Sequence, residues 1–129
     1  MSHSANLNLE VLSERLAICR LPADAPLPNW VSGSHFWAIV RTSDELSIVS
    51  SELTVPKEVI QVPGWRAFKV MGPLDFSIVG ILESIAYPLV EANISMFAIS
   101  TFDTDYILVK ESALEQATKV LRQAGFKIQ

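Results

Sequence analysis

The sequence predicts an α+β chain whose second half runs β-α-β-β-α-β and whose first half is a reduced copy of that unit. Three observations carry this. Apolar residues at helical spacing occur in the second half, after Gly72 and again after Ser112. Strand-like runs bounded by turn residues fill most of the rest. The two halves also match each other at a fixed offset.

In chain order, Leu9-Glu10-Val11-Leu12 reads as a short strand and Ser13-Glu14 as its turn. Leu16 to Leu21 is a second strand, entering a segment with prolines at 22, 26 and 28. Each proline removes a donor and restricts its predecessor, so only one helical turn, Pro28 to Val31, is allowed there. Phe36 to Arg41 and Glu45 to Val49 form a hairpin around Thr42-Ser43-Asp44. Ser50 to Gly64, rich in charge and proline, reads as a helix-free connector and as the seam between the halves.

The second half opens with the strand Trp65 to Val70, ended by Gly72-Pro73. Asp75 suits an N-cap, and Ile78, Ile81, Leu82, Ile85, Leu89 and Val90 give the following helix one apolar face. Pro88 kinks that helix or shortens its last turn. Ile94 to Ile99 and Tyr106 to Val109 are strands around Phe102-Asp103-Thr104. Ser112-Ala113-Leu114-Glu115 reads as a capping box. The last helix buries Leu114, Ala117, Val120 or Leu121, and Ala124, and Gly125 takes the left-handed position after it. Phe126-Lys127-Ile128 closes the sheet as an edge strand. This order is the split-βαβ arrangement.

The chain of 129 residues is half hydrophobic and 19% charged, a balance that excludes disorder and leaves apolar surface to bury against another chain. A net charge of −4 without a cluster of Lys or Arg argues against a polyanion partner. Cys19 sits alone in an apolar alternating run, the setting of a buried structural thiol. No run approaches the ~18 apolar residues of a membrane span. With a polar start and no export signal, these features point to the cytoplasm.

A shift of 60 residues aligns Trp37-Ala38-Ile39 with Phe97-Ala98-Ile99, Glu45-Leu46 with Asp105-Tyr106 and Ile48-Val49 with Leu108-Val109. A shift of 50 aligns Leu16 to Cys19 with Arg66 to Lys69. The ten-residue difference falls where the second half has its first helix and the first half its prolines. The first half therefore reads as the same unit with that helix reduced to a turn.

The runs Gly64 to Ser77 and Ile94 to Lys110, with Asp44 to Val49 in the first half, resemble small bacterial tandem ACT-domain proteins. They are also similar to the CASTOR-type arginine-sensor ACT domains and to the regulatory ACT domains of aspartate kinases. The Ser100-Thr101-Phe102-Asp103-Thr104-Asp105 stretch is the most specific part. The resemblance implies a ferredoxin-like fold, with a degenerate ACT-like half at 9–62 and a complete ACT domain at 63–129. It also implies sheets joined side by side, and small ligands, often amino acids, at interfaces between ACT units. The site would lie at the first βα loop and the hairpin facing it. Here those are Gly72, Pro73, Leu74, Asp75 and Phe76, and Ser100, Thr101, Phe102 and Asp105. The first half, lacking its helix, is not expected to supply an equivalent site.

The residue chemistry is compatible with an amino acid. Backbone N–H groups at a helix start suit a carboxylate, and Gly72 allows close approach. Asp75, Asp103 and Asp105 could accept from an ammonium, and Phe102 could form an apolar wall. Each also has a local reading: Asp75 as N-cap, Asp103 as turn residue, Ser100 and Thr101 as partners of nearby backbone. Asp105 is harder to explain locally, because it starts a strand. Trp30, Trp37 and Trp65 read as core or interface aromatics.

Nothing in the sequence assembles a catalytic constellation. His3 and His35 lack metal-ligand spacing to a Cys or second His, and phosphate-loop, dinucleotide and nucleophile-elbow motifs are missing. The expectation is a non-enzymatic homodimer without cofactor or metal, binding an amino acid and acting on a regulated protein partner. The alternative is an oligomerisation or protein-interaction module with no metabolite ligand. RNA binding, which also uses β-α-β-β-α-β units, is disfavoured by the acidic charge and the missing basic-aromatic strand motif.

Overall fold

The computed structural model describes residues 7–71 and 80–129. The chain divides into two compact units, one joining the start of the chain through Leu12 to Arg66–Gln129, the other being Ser13–Trp65.

The smaller unit contains β2 (Leu16–Leu21), a 3-10 turn (Asn29–Gly33), β3 (Ala38–Arg41), β4 (Leu46–Ser51) and the first part of β5 (Ile60–Val70). Its sheet runs β3-β4-β2-β5, antiparallel throughout. The prolines hold the expected helix to the one 3-10 turn. Ala17, Cys19, Val31, Leu46, Ile48 and Val55 make the core, with Trp30 packed against it.

Residues 60–64 correct the expectation of a connector running to Gly64, because β5 starts at Ile60, five residues before the expected strand start at Trp65. Ile60-Gln61-Val62 pair with β2, and Trp65 pairs with Leu16. The register slips between Leu16 and Ile18, so Pro63 and Gly64 occupy a bulge, where a missing N–H and a left-handed φ of 83° are tolerated. Glu52 pins the bulge: one carboxylate oxygen accepts the Gly64 N–H at 2.9 Å, and the other lies 3.3 Å from Arg15 Nε.

The larger unit holds β1 (Asn8–Val11), the last part of β5, α1 (Ile81–Glu91), β6 (Phe97–Ser100), β7 (Asp105–Lys110), α2 (Leu114–Gln123) and β8 (Lys127–Ile128). Its strand order is β8-β1-β5-β7-β6. The first strand was expected in the first half. Instead Leu9, fully buried, pairs with Val70 and shares a core with Phe68. Burying Leu9 and Phe68 together fixes this pairing, because a one-residue slip would turn Leu9 to the other face.

Buried residues on α1 are Ile81, Ile85 and Leu89, one stripe at four-residue spacing. Leu82 and Val90, expected in the core, lie on the neighbouring stripe and are exposed. On α2, Ala117 and Leu121 are buried while Ala124 is exposed as the C-cap. The expected capping box is not formed. A 3-10 turn over Glu111–Ala113 leads into α2, and neither start carries a side-chain cap. Glu111 faces the Arg66 guanidinium at 3.3 Å.

Both helices end alike. After α2 the Gly125 N–H donates to Arg122 O and the Phe126 N–H to Leu121 O. After α1, Asn93 (φ 61°) donates to Val90 O and Ile94 to Leu89 O. These are Schellman closures, in which a left-handed residue turns the chain back onto the last carbonyls.

The hairpins β3–β4 and β6–β7 share a detailed geometry, at a spacing of 59 residues rather than 60. Arg41 pairs with Leu46 as Ser100 pairs with Asp105. In each loop the first Thr donates its N–H to the fourth residue's carbonyl, Thr42 to Glu45 at 2.9 Å and Thr101 to Thr104 at 2.8 Å. Each Thr hydroxyl also accepts that residue's N–H. The shared residues are therefore Thr42 with Thr101 and Asp44 with Asp103, and the position of Asp105 is taken by Leu46 in the other hairpin.

Candidate functional site

Of the expected site residues, Gly72, Pro73, Leu74, Asp75 and Phe76 lie outside the described residues. The described part of the following helix starts at Ile81, with Gly80 as N-cap at φ 85°. Ser100, Thr101, Phe102 and Asp105 are all placed, and they gather at one end of the β6–β7 hairpin.

Strand pairing brings Ser100 and Asp105 face to face, and the Ser100 hydroxyl donates to Asp105 Oδ1 at 2.6 Å. This cross-strand pair holds Asp105 at the start of β7, where its sequence position alone gave no local reason for a carboxylate. Thr101 is taken up by the turn, accepting the Thr104 N–H at 3.2 Å and donating to the Thr104 carbonyl at 3.1 Å. Phe102 stands at the tip with 81% of its surface exposed. An exposed aromatic ring beside a carboxylate–hydroxyl pair offers an apolar surface and an acceptor for a cation or ammonium.

Thr104 is the residue that sequence reasoning missed. It is buried, and its hydroxyl donates to Val70 O at 2.5 Å. This bond ties the hairpin tip to the end of β5, two residues before Gly72. A turn threonine that reaches across to another strand carries the same local pattern as one facing water, so no sequence signal marked it.

Trp37 is 47% exposed, unlike a core aromatic, and Trp65 is half-buried. Cys19 is buried beside Ala17 and Leu46, and burial pushes its thiol from 9.0 up to about 11. Among the described residues no group of three or more His, Cys, Asp or Glu is placed to hold a metal ion. No described helix is long and apolar enough to cross a membrane.

With this fold and hairpin in view, comparison with known proteins gives the class. The ACT-domain family model matches residues 61–123, and a separate model of an N-terminal domain matches residues 14–58. Residues 61–123 thus carry an ACT domain. Among solved structures, a protein of Agobacterium tumefaciens is 39% identical with a TM-score of 0.90, over 95% of this chain and 92% of that one. The human protein named cytosolic arginine sensor for mTORC1 subunit 1 is 44% identical over 64 residues. That stretch is 47% of this chain and 20% of the human protein, so the match spans about a fifth of that relative. The ligand-free regulatory subunit of aspartate kinase from Thermus thermophilus shares the fold at 8% identity. Its TM-score is 0.63, over 94% of this chain and 98% of that one.

Proposed function

We propose that the chain is a regulatory module that binds an amino acid at an interface between ACT units, without catalysing a reaction. The observation that carries this reading is its ACT domain together with 44% identity, over 64 residues, to a protein named an arginine sensor. The Ser100–Asp105 pair and exposed Phe102 support a site at the hairpin tip. In this reading Asp105 accepts from the ligand's ammonium, Phe102 covers its apolar part, and the Gly72 to Phe76 segment meets its carboxylate. The module is a homodimer that bears on a protein partner, its ligand shifting the equilibrium by binding one state better. Among the described residues β6 pairs with β7 at one end of the strand order.

A thermal-shift screen against the twenty amino acids tests this. Ligand at ~100 times its Kd adds ~2.7 kcal/mol, a rise of several degrees. A selective rise lost in Asp105→Ala supports the site. A second reading, an interaction module with no metabolite, is favoured by the exposed apolar residues Tyr87, Val90 and Val40. It predicts no rise with any amino acid.

A further inference from the structure

Helices α1 and α2 enclose an open groove of about 750 Å³ that no part of the hairpin reading uses. Its apolar floor includes Pro88, Ala92, Val120 and Ala124, and Tyr87 stands on its wall with 65% of its surface exposed. An open trough between two helices fits a helical segment laid on it better than a compact metabolite, which needs enclosure.

The charge around it is one-sided. Glu83 and Glu91 line the groove one turn on either side of Tyr87, and among the described residues no Lys, Arg or His joins them. The basic residues of α2, Lys119 and Arg122, line a different surface with Glu111 and Glu115. Glu83 and Glu91 are eight positions apart on one helical face, so their backbones are ~12 Å apart along the axis. A helix laid in the groove spans that distance between residues seven or eight apart, the repeat of its own face. Pro88 adds a further acceptor: having no N–H, it cannot serve the Ser84 carbonyl, and both residues line the groove.

We propose that this groove docks an amphipathic helix of a partner protein, whose apolar face seats on Tyr87, Pro88 and Val120 between two basic residues that meet Glu83 and Glu91. The proposal stands on the groove alone and holds whether or not an amino acid binds at the hairpin.

The probe is a fluorescein-labelled synthetic helix with a leucine face between lysines about seven residues apart, titrated with the full chain by fluorescence anisotropy. It should bind, and Glu83→Lys with Glu91→Lys should weaken it about tenfold, as should Tyr87→Ala. A peptide with glutamates replacing the lysines should prefer the lysine variant. Glu10→Lys with Glu58→Lys changes net charge equally at residues outside the groove and should leave binding intact. The proposal is overturned if the lysine peptide does not bind, or if the control pair weakens it as much as the groove pair. It also fails if Tyr87→Ala leaves the peptide bound but abolishes a dimer seen by sedimentation, which would give the groove to a second copy.

Discussion

Replacing Thr104 by Val tests how the hairpin tip is held. The two side chains are nearly the same shape, but Val cannot donate to the Val70 carbonyl, which Thr104 reaches at 2.5 Å from a buried position. Losing a buried hydrogen bond and leaving its acceptor desolvated costs ~1–3 kcal/mol. For a chain of this size, ~1.5 kcal/mol lowers Tm by about 5 °C. Thermal denaturation followed by far-UV circular dichroism measures the drop, with Thr104→Ser as control because it keeps the hydroxyl. A Val variant as stable as the parent, or a Ser variant that falls as far as Val, would refute the bond's role.

Three further outcomes follow from the same physical reasoning. Gly64→Ala meets no neighbouring atom but must hold φ near 83°, so the cost is backbone strain of ~1–2 kcal/mol, read as a lower urea midpoint. An unchanged midpoint would mean the bulge does not need that conformation. The Glu14 carboxylate accepts the N–H groups of His35 at 3.1 Å and Phe36 at 3.0 Å, so Glu14→Ala should speed hydrogen exchange at those two amides. Equal protection in both proteins would contradict that latch. Cys19 has a folded pKa raised from 9.0 to about 11, so its neutral thiol contributes stability that is full below pH 9 and lost as pH rises through 11. Cys19→Ala should flatten the stability profile across that window, and a profile of unchanged slope would reject the assignment.

Much of the fold was legible because strand alternation and helix spacing are local patterns. The 3-10 turn among the prolines, Gly125 after α2 and the buried Cys19 all follow from single-residue chemistry. What was not legible depends on partners distant in sequence. Ile60 to Val62 read as part of a connector rich in charge and proline, and the bulge opposite Leu16 and Ile18 is what admits Pro63 and Gly64 to a strand. Leu9 joins the larger unit because Phe68 shares its core, a pairing that no window around residue 9 contains. Glu111 is engaged by Arg66, 45 residues away, and the Ser112 capping box gives way to a 3-10 turn. At the candidate site the sequence singled out Ser100 and Asp105 separately; their hydrogen bond emerges only once β6 and β7 are in register.

Amino-acid binding through the hairpin tip, as proposed, is best followed residue by residue with backbone amide NMR. The chain, labelled with nitrogen-15, is titrated with the amino acid that raises its melting temperature most. Binding at the tip should give saturable shifts concentrated at Ser100 to Asp105 and Gly72 to Phe76, abolished by Asp105→Ala. Saturable shifts confined to other residues, or no shifts with any of the twenty amino acids at millimolar concentration, would contradict it.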